Sequence, residues 1–410
     1  MDRKLKVGVL GASRGETMIN FCKKTGEAEV VAVCDKYEHA LQKFKKQKGV
    51  TCYEDFEQFI KHDMDAVVLA NYATEHAPFA IKCLKAGKHV LSEVLAVATP
   101  KEAVELIEAV EESGLVYSYA ENYCYMPATK EMAKLYKQGK LGEFEYGEGE
   151  YIHNCEPIWP EITYGDPNHW RNNMYATFYC THSIGPLLYI TGLRPVSVVG
   201  FELPFSSRNA RMGRKGGAAG IEMITLESGA IIKSIHGDLD KNSIWFAVYG
   251  SKGRLESARE DACEGDINTL YANLDDVEGI YRCDPIKTQP KDEFSEMADG
   301  LGHAGSDYYP MHWFVEACKG NKNAQTIDVY KAVEMTLPGI YAHHSILDGS
   351  IPKEIPNLRT KEGREIARKD GRIIGKDLPI YSKGELEIDD CVYQRIKKLY
   401  EQNLKKETKK

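Results

Sequence analysis

Leu5-Lys6-Val7-Gly8-Val9-Leu10-Gly11-Ala12-Ser13-Arg14-Gly15 decides the fold. A mainly apolar strand runs straight into a glycine-bracketed turn, and Thr17 to Lys24 then reads as a helix. Glycines at such a turn let the backbone approach a pyrophosphate held at the helix N-terminus. The strict pattern is G-x-G-x-x-G; here Ser13 stands at the second glycine and Gly15 comes one place early. Asp35 closes the next strand, Val30 to Cys34, where an acid would accept hydrogen bonds from both ribose hydroxyls. The same acid repels a 2′-phosphate, so NAD is expected and NADP disfavoured, with the adjacent Lys36 the one feature on the NADP side. The letters also fit G-x-S-x-G. A nucleophile elbow needs an oxyanion loop built before it, and ten residues precede Gly11, so Ser13 is read as part of a phosphate-binding turn.

Outward from that turn the pattern repeats. A charged helix is expected from about Glu38 to Lys48, a strand at Asp65 to Ala70, and a helix at Ala77 to Ala86 closed by Gly87. A strand at His89 to Ser92, a helix at Thr99 to Ser113 with Pro100 in its first turn, and a strand at Val116 to Tyr119 follow. Strands alternating with helices over short connections build a parallel, doubly wound sheet. After about Glu121 the texture changes. Phe144 to Cys155, Val196 to Glu202, Ile221 to Leu226, Ala230 to His236 and Ile244 to Gly250 read as strands of one large, mainly antiparallel open sheet. Gly229 and Gly250 to Gly253 mark its hairpin turns. Helices return at Tyr308 to Lys319 and Val329 to Leu347. The expected organisation is an NAD-binding Rossmann domain at 1–122, an α/β domain at 123–358, to which the family resemblance given below adds substrate binding, and a charged C-terminal extension at 359–410.

Composition narrows the function. The chain has 410 residues, 43% hydrophobic and 28% charged, enough to bury a sizeable core. With 53 basic and 61 acidic residues the net charge is −8, which disfavours a nucleic-acid binder. No apolar run approaches the ~18 residues of a membrane-spanning helix. No secretory signal is read in the first residues, so a cytoplasmic protein is expected. Eleven cysteines are scattered singly, Cys263 and Cys283 among them, and no pair has C-x-x-C spacing. Buried, reduced thiols are expected. Asp166-Pro167-Asn168-His169 offers polar ligands without metal-binding spacing, so no metal is expected.

Asp65-Ala66-Val67-Val68-Leu69, His76, and Ala86-Gly87-Lys88-His89-Val90-Leu91-Ser92-Glu93 resemble a motif of the Gfo/Idh/MocA oxidoreductases. That resemblance extends to about Pro356 and implies a Rossmann domain followed by an open-sheet domain that carries the substrate pocket. It also implies a homo-oligomer, dimer or tetramer, formed through the open sheet. The family's E-K-P lysine is replaced in Glu93-Val94-Leu95, and valine cannot move a proton. Glu121-Asn122-Tyr123-Cys124-Tyr125, Gly149 to His153, Trp170-Arg171 and Tyr179-Cys180-Thr181-His182-Ser183-Ile184-Gly185-Pro186 resemble one branch, the NAD-dependent glycoside hydrolases. So do Gly305-Ser306-Asp307-Tyr308 and Asp328-Val329-Tyr330. The pyrophosphate loop is one residue shorter than in that branch, and Trp245 is the nearest aromatic after the His236 strand.

The resemblance implies a tightly held, recycled NAD and a sugar or glycoside substrate. The sugar is oxidised, the glycosidic oxygen leaves by elimination, water adds, and the hydride returns. It assigns Gly11, Ala12, Ser13, Arg14, Gly15, Asp35, Asn71, His76, Glu93, Val94, Asn122, Trp170 and Arg171 to the cofactor. His182, Tyr179, Tyr151 and Glu121 are the catalytic candidates, with His182 first as base; His153 and His236 are candidates for substrate binding. Tyr179 and His182 are three apart, so a helical turn would put both on one face. Two alternatives stay open: a plain NAD(P)-dependent sugar or polyol dehydrogenase, and a non-catalytic NAD-binding regulator.

Overall fold

The computed structural model describes residues 3–259, 266–275, 286–381 and 388–407. Cys263, Cys283 and the last three residues of the terminal KKETKK lie outside the described residues. The chain divides into two compact units. One comprises Met1–Glu131, Gln289–Met335 and Pro356–Gly371; the other comprises Met132–Thr288, Thr336–Ile355 and Arg372–Lys410.

In the first unit β1 (Leu5–Leu10), β2 (Ala28–Cys34), β3 (Thr51–Tyr53), β4 (Ala66–Leu69), β5 (His89–Ser92) and β6 (Tyr117–Tyr119) form a parallel sheet. Its order, β3-β2-β1-β4-β5-β6, is that of a doubly wound dinucleotide fold. Its helices are α1 (Glu16–Thr25), α2 (Glu38–Leu41), α3 (Phe56–Phe59), α4 (His76–Lys85) and α5 (Pro100–Ser113). α5 shows how locally the sequence acts. Thr99 caps the start by accepting from the Glu102 amide at 3.1 Å, and Gly114 ends it in the left-handed region. The charged helix expected to Lys48 stops at Leu41. Beyond it three-residue bonds such as Phe44 N–H to Leu41 O and Gln47 N–H to Phe44 O replace the regular helical ladder.

The helix α6 (Pro127–Lys137) leads to a nine-stranded sheet. Its strands are β7 (Phe144–Ile152), β8 (Pro195–Glu202), β9 (Ala219–Leu226), β10 (Ile231–Gly237) and β11 (Ser243–Gly250), then β12 (Gly253–Ser257), β13 (Leu270–Leu274), β14 (Ile286–Thr288) and β15 (Lys353–Glu354). The order is β14-β13-β12-β11-β7-β10-β9-β8-β15, antiparallel except at its centre, where β7 and β10 run parallel. Shorter helices, α7 (Trp159–Ile162), α8 (Thr181–Thr191) and α9 (Ser207–Met212), interrupt the strands. α10 (Ser295–Ala298), α11 (Tyr308–Cys318), α12 (Val329–Leu347), α13 (Lys361–Arg368) and α14 (Asp390–Glu407) complete the chain. Among the described residues no helix is long and apolar enough to cross a membrane.

One face of this sheet lies under α8 and the Thr336–Leu347 part of α12, and glycines set the spacing. A Cβ built on Gly149 would stand 1.8 Å from the Ser183 carbonyl oxygen, and one on Gly200 would stand 2.3 Å from that of Ala342. Helix backbone therefore rests directly on strand backbone. The Ser183 and Ser234 hydroxyls bond across the layer at 2.7 Å. Gly149→Ala should lower unfolding free energy by about 3 kcal/mol, the upper end of the ordinary overpacking cost, because backbone rather than a movable side chain must give way. Urea titration of the variant beside the parent measures it; an unchanged midpoint would refute the contact.

Candidate functional site

Two groups of polar side chains stand out, one in each unit. In the Rossmann unit the turn after β1 is built for close approach. Gly11 has φ +94°, and a Cβ on it would lie 2.3 Å from the Ala70 carbonyl oxygen. A Cβ on Gly15 would meet Gly11 O and Val9 Cγ1, both at 2.4 Å. Gly15 thus keeps α1 against β1, the packing duty of a third glycine, while Ser13 at the missing second glycine is exposed. The Gly15 end of α1 carries no side-chain cap. Asp35 accepts from the Ala12 amide at 2.8 Å and the Tyr37 amide at 2.9 Å, which ties the acid at the end of β2 to the turn. The Lys36 ammonium lies 3.8 Å from the centre of the Tyr72 ring.

Behind the turn sits a buried ionic cluster. The Arg14 Nε donates to Glu93 Oε1 at 2.8 Å, and its two terminal nitrogens donate to Asp307 at 3.1 Å each. Asp307 also accepts from Asn122 Nδ2 at 2.7 Å and pairs with His303 Nδ1 at 2.8 Å. Burial raises the Asp307 carboxyl, but the His303 bond and the Arg14 charge outweigh it and hold the group far below the usual carboxylate range. Val94 N–H bonds back to Glu93 Oε2 at 3.3 Å. Glu121 is fully buried and caps the turn Asn122–Tyr125 by accepting from the Tyr123 amide at 3.3 Å. His76 Nδ1–H donates to Leu95 O at 2.7 Å, leaving its buried Nε2 without a partner. Both polar atoms of the Asn71 amide are buried and unbonded.

These residues fit a dinucleotide. The turn has room for backbone approach, an acid stands at the ribose position, and an unsatisfied buried amide such as Asn71 needs a partner the protein does not supply. Asp307 and His303 were not legible as part of this group: Asp307 is 293 residues from Arg14, and only the Gly305–Tyr308 motif marked the neighbourhood.

In the sheet unit an aromatic group gathers around His182, the second residue of α8. The Tyr151 ring centre lies 4.7 Å from the imidazole, and the Tyr179 ring meets it edge-on at 5.0 Å. Tyr179 lies two residues before the first residue of α8, just outside its N-cap Cys180, so the turn that leads into the helix rather than the helix itself brings it to His182. Trp170 stacks on Tyr179 at 6.1 Å, and the Arg171 guanidinium lies 4.5 Å from the Trp170 ring centre. His153, one residue past the end of β7, lies parallel to Tyr151 at 6.0 Å. Burial pushes the Cys155 thiol up to about 11, and its sulfur shares a hydrogen bond with His153 Nδ1 at 2.8 Å.

His236 pairs in register with Tyr151 and shares its face of the sheet. Both its nitrogens are buried and unbonded, and Nδ1 lies 3.4 Å from Glu222 Oε2, whose oxygens are equally unsatisfied. The structure therefore brings together Tyr151, His153, Trp170, Arg171, Tyr179, His182 and His236. His169 Nδ1 accepts from the Arg171 amide at 3.3 Å, and Asp166 Oδ1 accepts from the Asn168 amide at 2.8 Å. Among the described residues no group of three or more His, Cys, Asp or Glu could hold a metal ion. The thiols fall short of uniform burial: Cys391 is exposed because its face of the terminal helix meets solvent.

Burial lowers His76 and His343 to about 4 from the ordinary 6.5, the latter with its Nε2–H bonded to Pro379 O at 2.8 Å. The unfolded imidazoles take up protons near 6.5 and the folded ones only near 4, so the unfolded state binds more protons between. Stability should fall as pH drops from about 6.5 to 4, by as much as about 3 kcal/mol per histidine. Denaturant midpoints across that range measure it, and His343→Gln should flatten the slope.

Residues 5–121 match the family described as oxidoreductase family, NAD-binding Rossmann fold, and residues 290–363 match the glycosyl hydrolase 109 C-terminal domain. An alpha-N-acetylgalactosaminidase of Bacteroides fragilis is 25% identical over 365 residues, covering 80% of this chain and 86% of that protein. Among solved structures, a levoglucosan dehydrogenase in complex with NADH superposes with TM-score 0.70 at 18% identity, covering 87% of this chain and all of the other. The scyllo-inositol dehydrogenase of Lactobacillus casei, with bound NAD(H) and scyllo-inositol, superposes with TM-score 0.67 at 17% identity over 87% of this chain and 100% of that one. The chain has the fold of the Gfo/Idh/MocA oxidoreductases and is similar, in two separate segments, to that family's NAD-binding domain and to the glycosyl hydrolase 109 proteins.

Proposed function

We propose that the protein is an NAD-dependent enzyme that cleaves a glycosidic bond by transient oxidation of the sugar. The observation that carries this reading is His182, an imidazole flanked by the Tyr151 ring at 4.7 Å and the Tyr179 ring at 5.0 Å. A bound nicotinamide would accept a hydride from a sugar carbon and later return it. Gly11, Ala12, Gly15 and Asp35 would hold the pyrophosphate and adenosine ribose, and Asn71 would satisfy its free amide on the cofactor. The Asp35 carboxylate favours NAD over NADP, and the Lys36 ammonium, which rests on Tyr72, does not oppose it. Retention of the cofactor through the cycle is part of the proposal, since net cleavage consumes no NAD.

His182 takes the proton of the sugar hydroxyl as the carbon is oxidised, with Tyr151 and Tyr179 aligning the ring or relaying the proton onward. Oxidation to a ketone acidifies the neighbouring C–H, and loss of that proton expels the glycosidic oxygen. Water adds to the resulting alkene and the ketone is reduced. His153 and His236 line the Tyr151 face and would hold sugar hydroxyls. Val94, standing where sugar dehydrogenases carry lysine, supports cleavage over plain dehydrogenation. A homo-oligomer through the open face of the sheet would cover Phe201 and Ile231, 46% and 40% exposed there.

The test is 4-nitrophenyl glycosides and free sugars, each with and without added NAD. Release of 4-nitrophenol without net NADH is expected; NADH accumulating with product would overturn the reading in favour of a dehydrogenase. His182→Ala should slow turnover by roughly 10²–10⁴ while leaving NADH binding nearly intact, because Gly11, Ala12, Gly15 and Asp35, read as holding the pyrophosphate and ribose, lie in the other unit. Asn71→Ala should weaken NADH binding by about tenfold, with no loss of stability, since its amide makes no bond within the protein. Calorimetric titration and thermal melting separate the two effects.

A further inference from the structure

The terminal helix α14 lies beyond both matched segments. It packs on α7 and α9, which have four and six residues and are too short to hold themselves. Val392, Ile396 and Tyr400 recur every fourth residue, so they share one face of α14. Ile396 closes an apolar cluster with Trp159 of α7 and Met212 of α9, flanked by Val392, Ile162 and Cys155. Tyr393 O–H donates to Gly213 O at 2.8 Å, its ring lying where a Cβ on that glycine would stand. The Lys397 backbone covers Gly165, and Tyr400 meets Tyr164 edge-on at 6.1 Å. Tyr164 and Gly165 both have positive φ, a turn that a tyrosine adopts only under outside support.

Both packed elements converge on one residue. Trp159 Nε1–H donates to Asn172 Oδ1 at 3.0 Å, and the Lys215 amide, just past α9, donates to Asn172 O at 2.8 Å. Asn172 lies in the turn Trp170–Asn173, which carries the ring stacked on Tyr179 and the guanidinium over it. We propose that α14 is a strap that positions the Trp170–Asn173 turn against Tyr179, so that the charged extension sets how tightly this cluster holds its substrate. The strap rests on the reading of Tyr151, Tyr179 and His182 as the reacting cluster. Val392, Tyr393 and Ile396 are positioning residues, acting through Trp159 and Asn172.

Hydrogen exchange decides it. In Ile396→Ala, and in Tyr393→Phe, which removes one hydrogen bond without opening a cavity, exchange across residues 159–173 should rise about tenfold while β7, β10 and β11 stay protected. With 4-nitrophenyl N-acetyl-α-galactosaminide as probe, KM should rise about tenfold with kcat within about twofold, and Ile396→Leu should restore both. Unchanged exchange at 159–173, or an equal rise throughout the sheet, would overturn the strap. A parent enzyme inert toward that probe would count against the glycosidase reading, and the exchange result would still stand on its own.

Discussion

The contact on which the sheet unit depends is backbone on backbone. Gly149 lets the Ser183 carbonyl of α8 settle onto β7, closer than any side chain would permit. Once that distance is fixed, the first turn of α8 has no freedom to slide, and the Ser183–Ser234 bond removes what remains. His182 stands one residue before that anchor and Tyr151 two residues after it. The 4.7 Å between their rings is therefore set by the fold. A catalytic imidazole placed in this way loses little entropy when a substrate arrives.

The Rossmann unit solves a different problem, that of keeping charges in a buried place. Arg14 is shared by Glu93 and Asp307, and Asp307 is shared in turn by Asn122 and His303. Two carboxylates share one guanidinium, and the Asn122 amide and the His303 ring add hydrogen bonds to Asp307, as burial of these groups demands. Asn71 and the Nε2 of His76 stand outside this accounting, polar and buried without partners. Such atoms cost stability in the free protein and are most simply explained as reserved for a ligand.

Local physics explains what was legible beforehand. The alternation of buried strands with helices from Leu5 to Tyr119 is carried by short-range periodicity and by glycine, proline and threonine at element ends, so five strands of the parallel sheet could be read directly; the three-residue edge strand β3 is too short to show a pattern. The strands β7 to β11 were legible through their two-residue alternation, but not the short β12 to β15 at the sheet's two edges, nor the parallel pairing of β7 with β10, which is a matter of chain path. Tyr151, Tyr179 and His182 could be picked out by motif, yet their meeting needed α8 laid on β7. Asp307 and α14 show the limit. Nothing in the composition near residue 307 points to Arg14, and a terminal helix rich in lysine reads as solvated until the face made by Val392, Ile396 and Tyr400 finds Trp159.

His236 and Glu222 carry the remaining tension. They lie on the same covered face as Tyr151 and Ser234, 3.4 Å apart, with four polar atoms and no hydrogen bond among them. A core with purely structural duty would replace such a pair by apolar residues at no loss, often with a gain. Their retention in the row beside Tyr151 follows if a polyhydroxylated ligand supplies the missing partners, because sugar hydroxyls both donate and accept. The same logic accounts for Asn71. Some of the unsatisfied buried polar atoms of each unit thus lie beside residues that the function needs, Asn71 in one and His236 with Glu222 in the other.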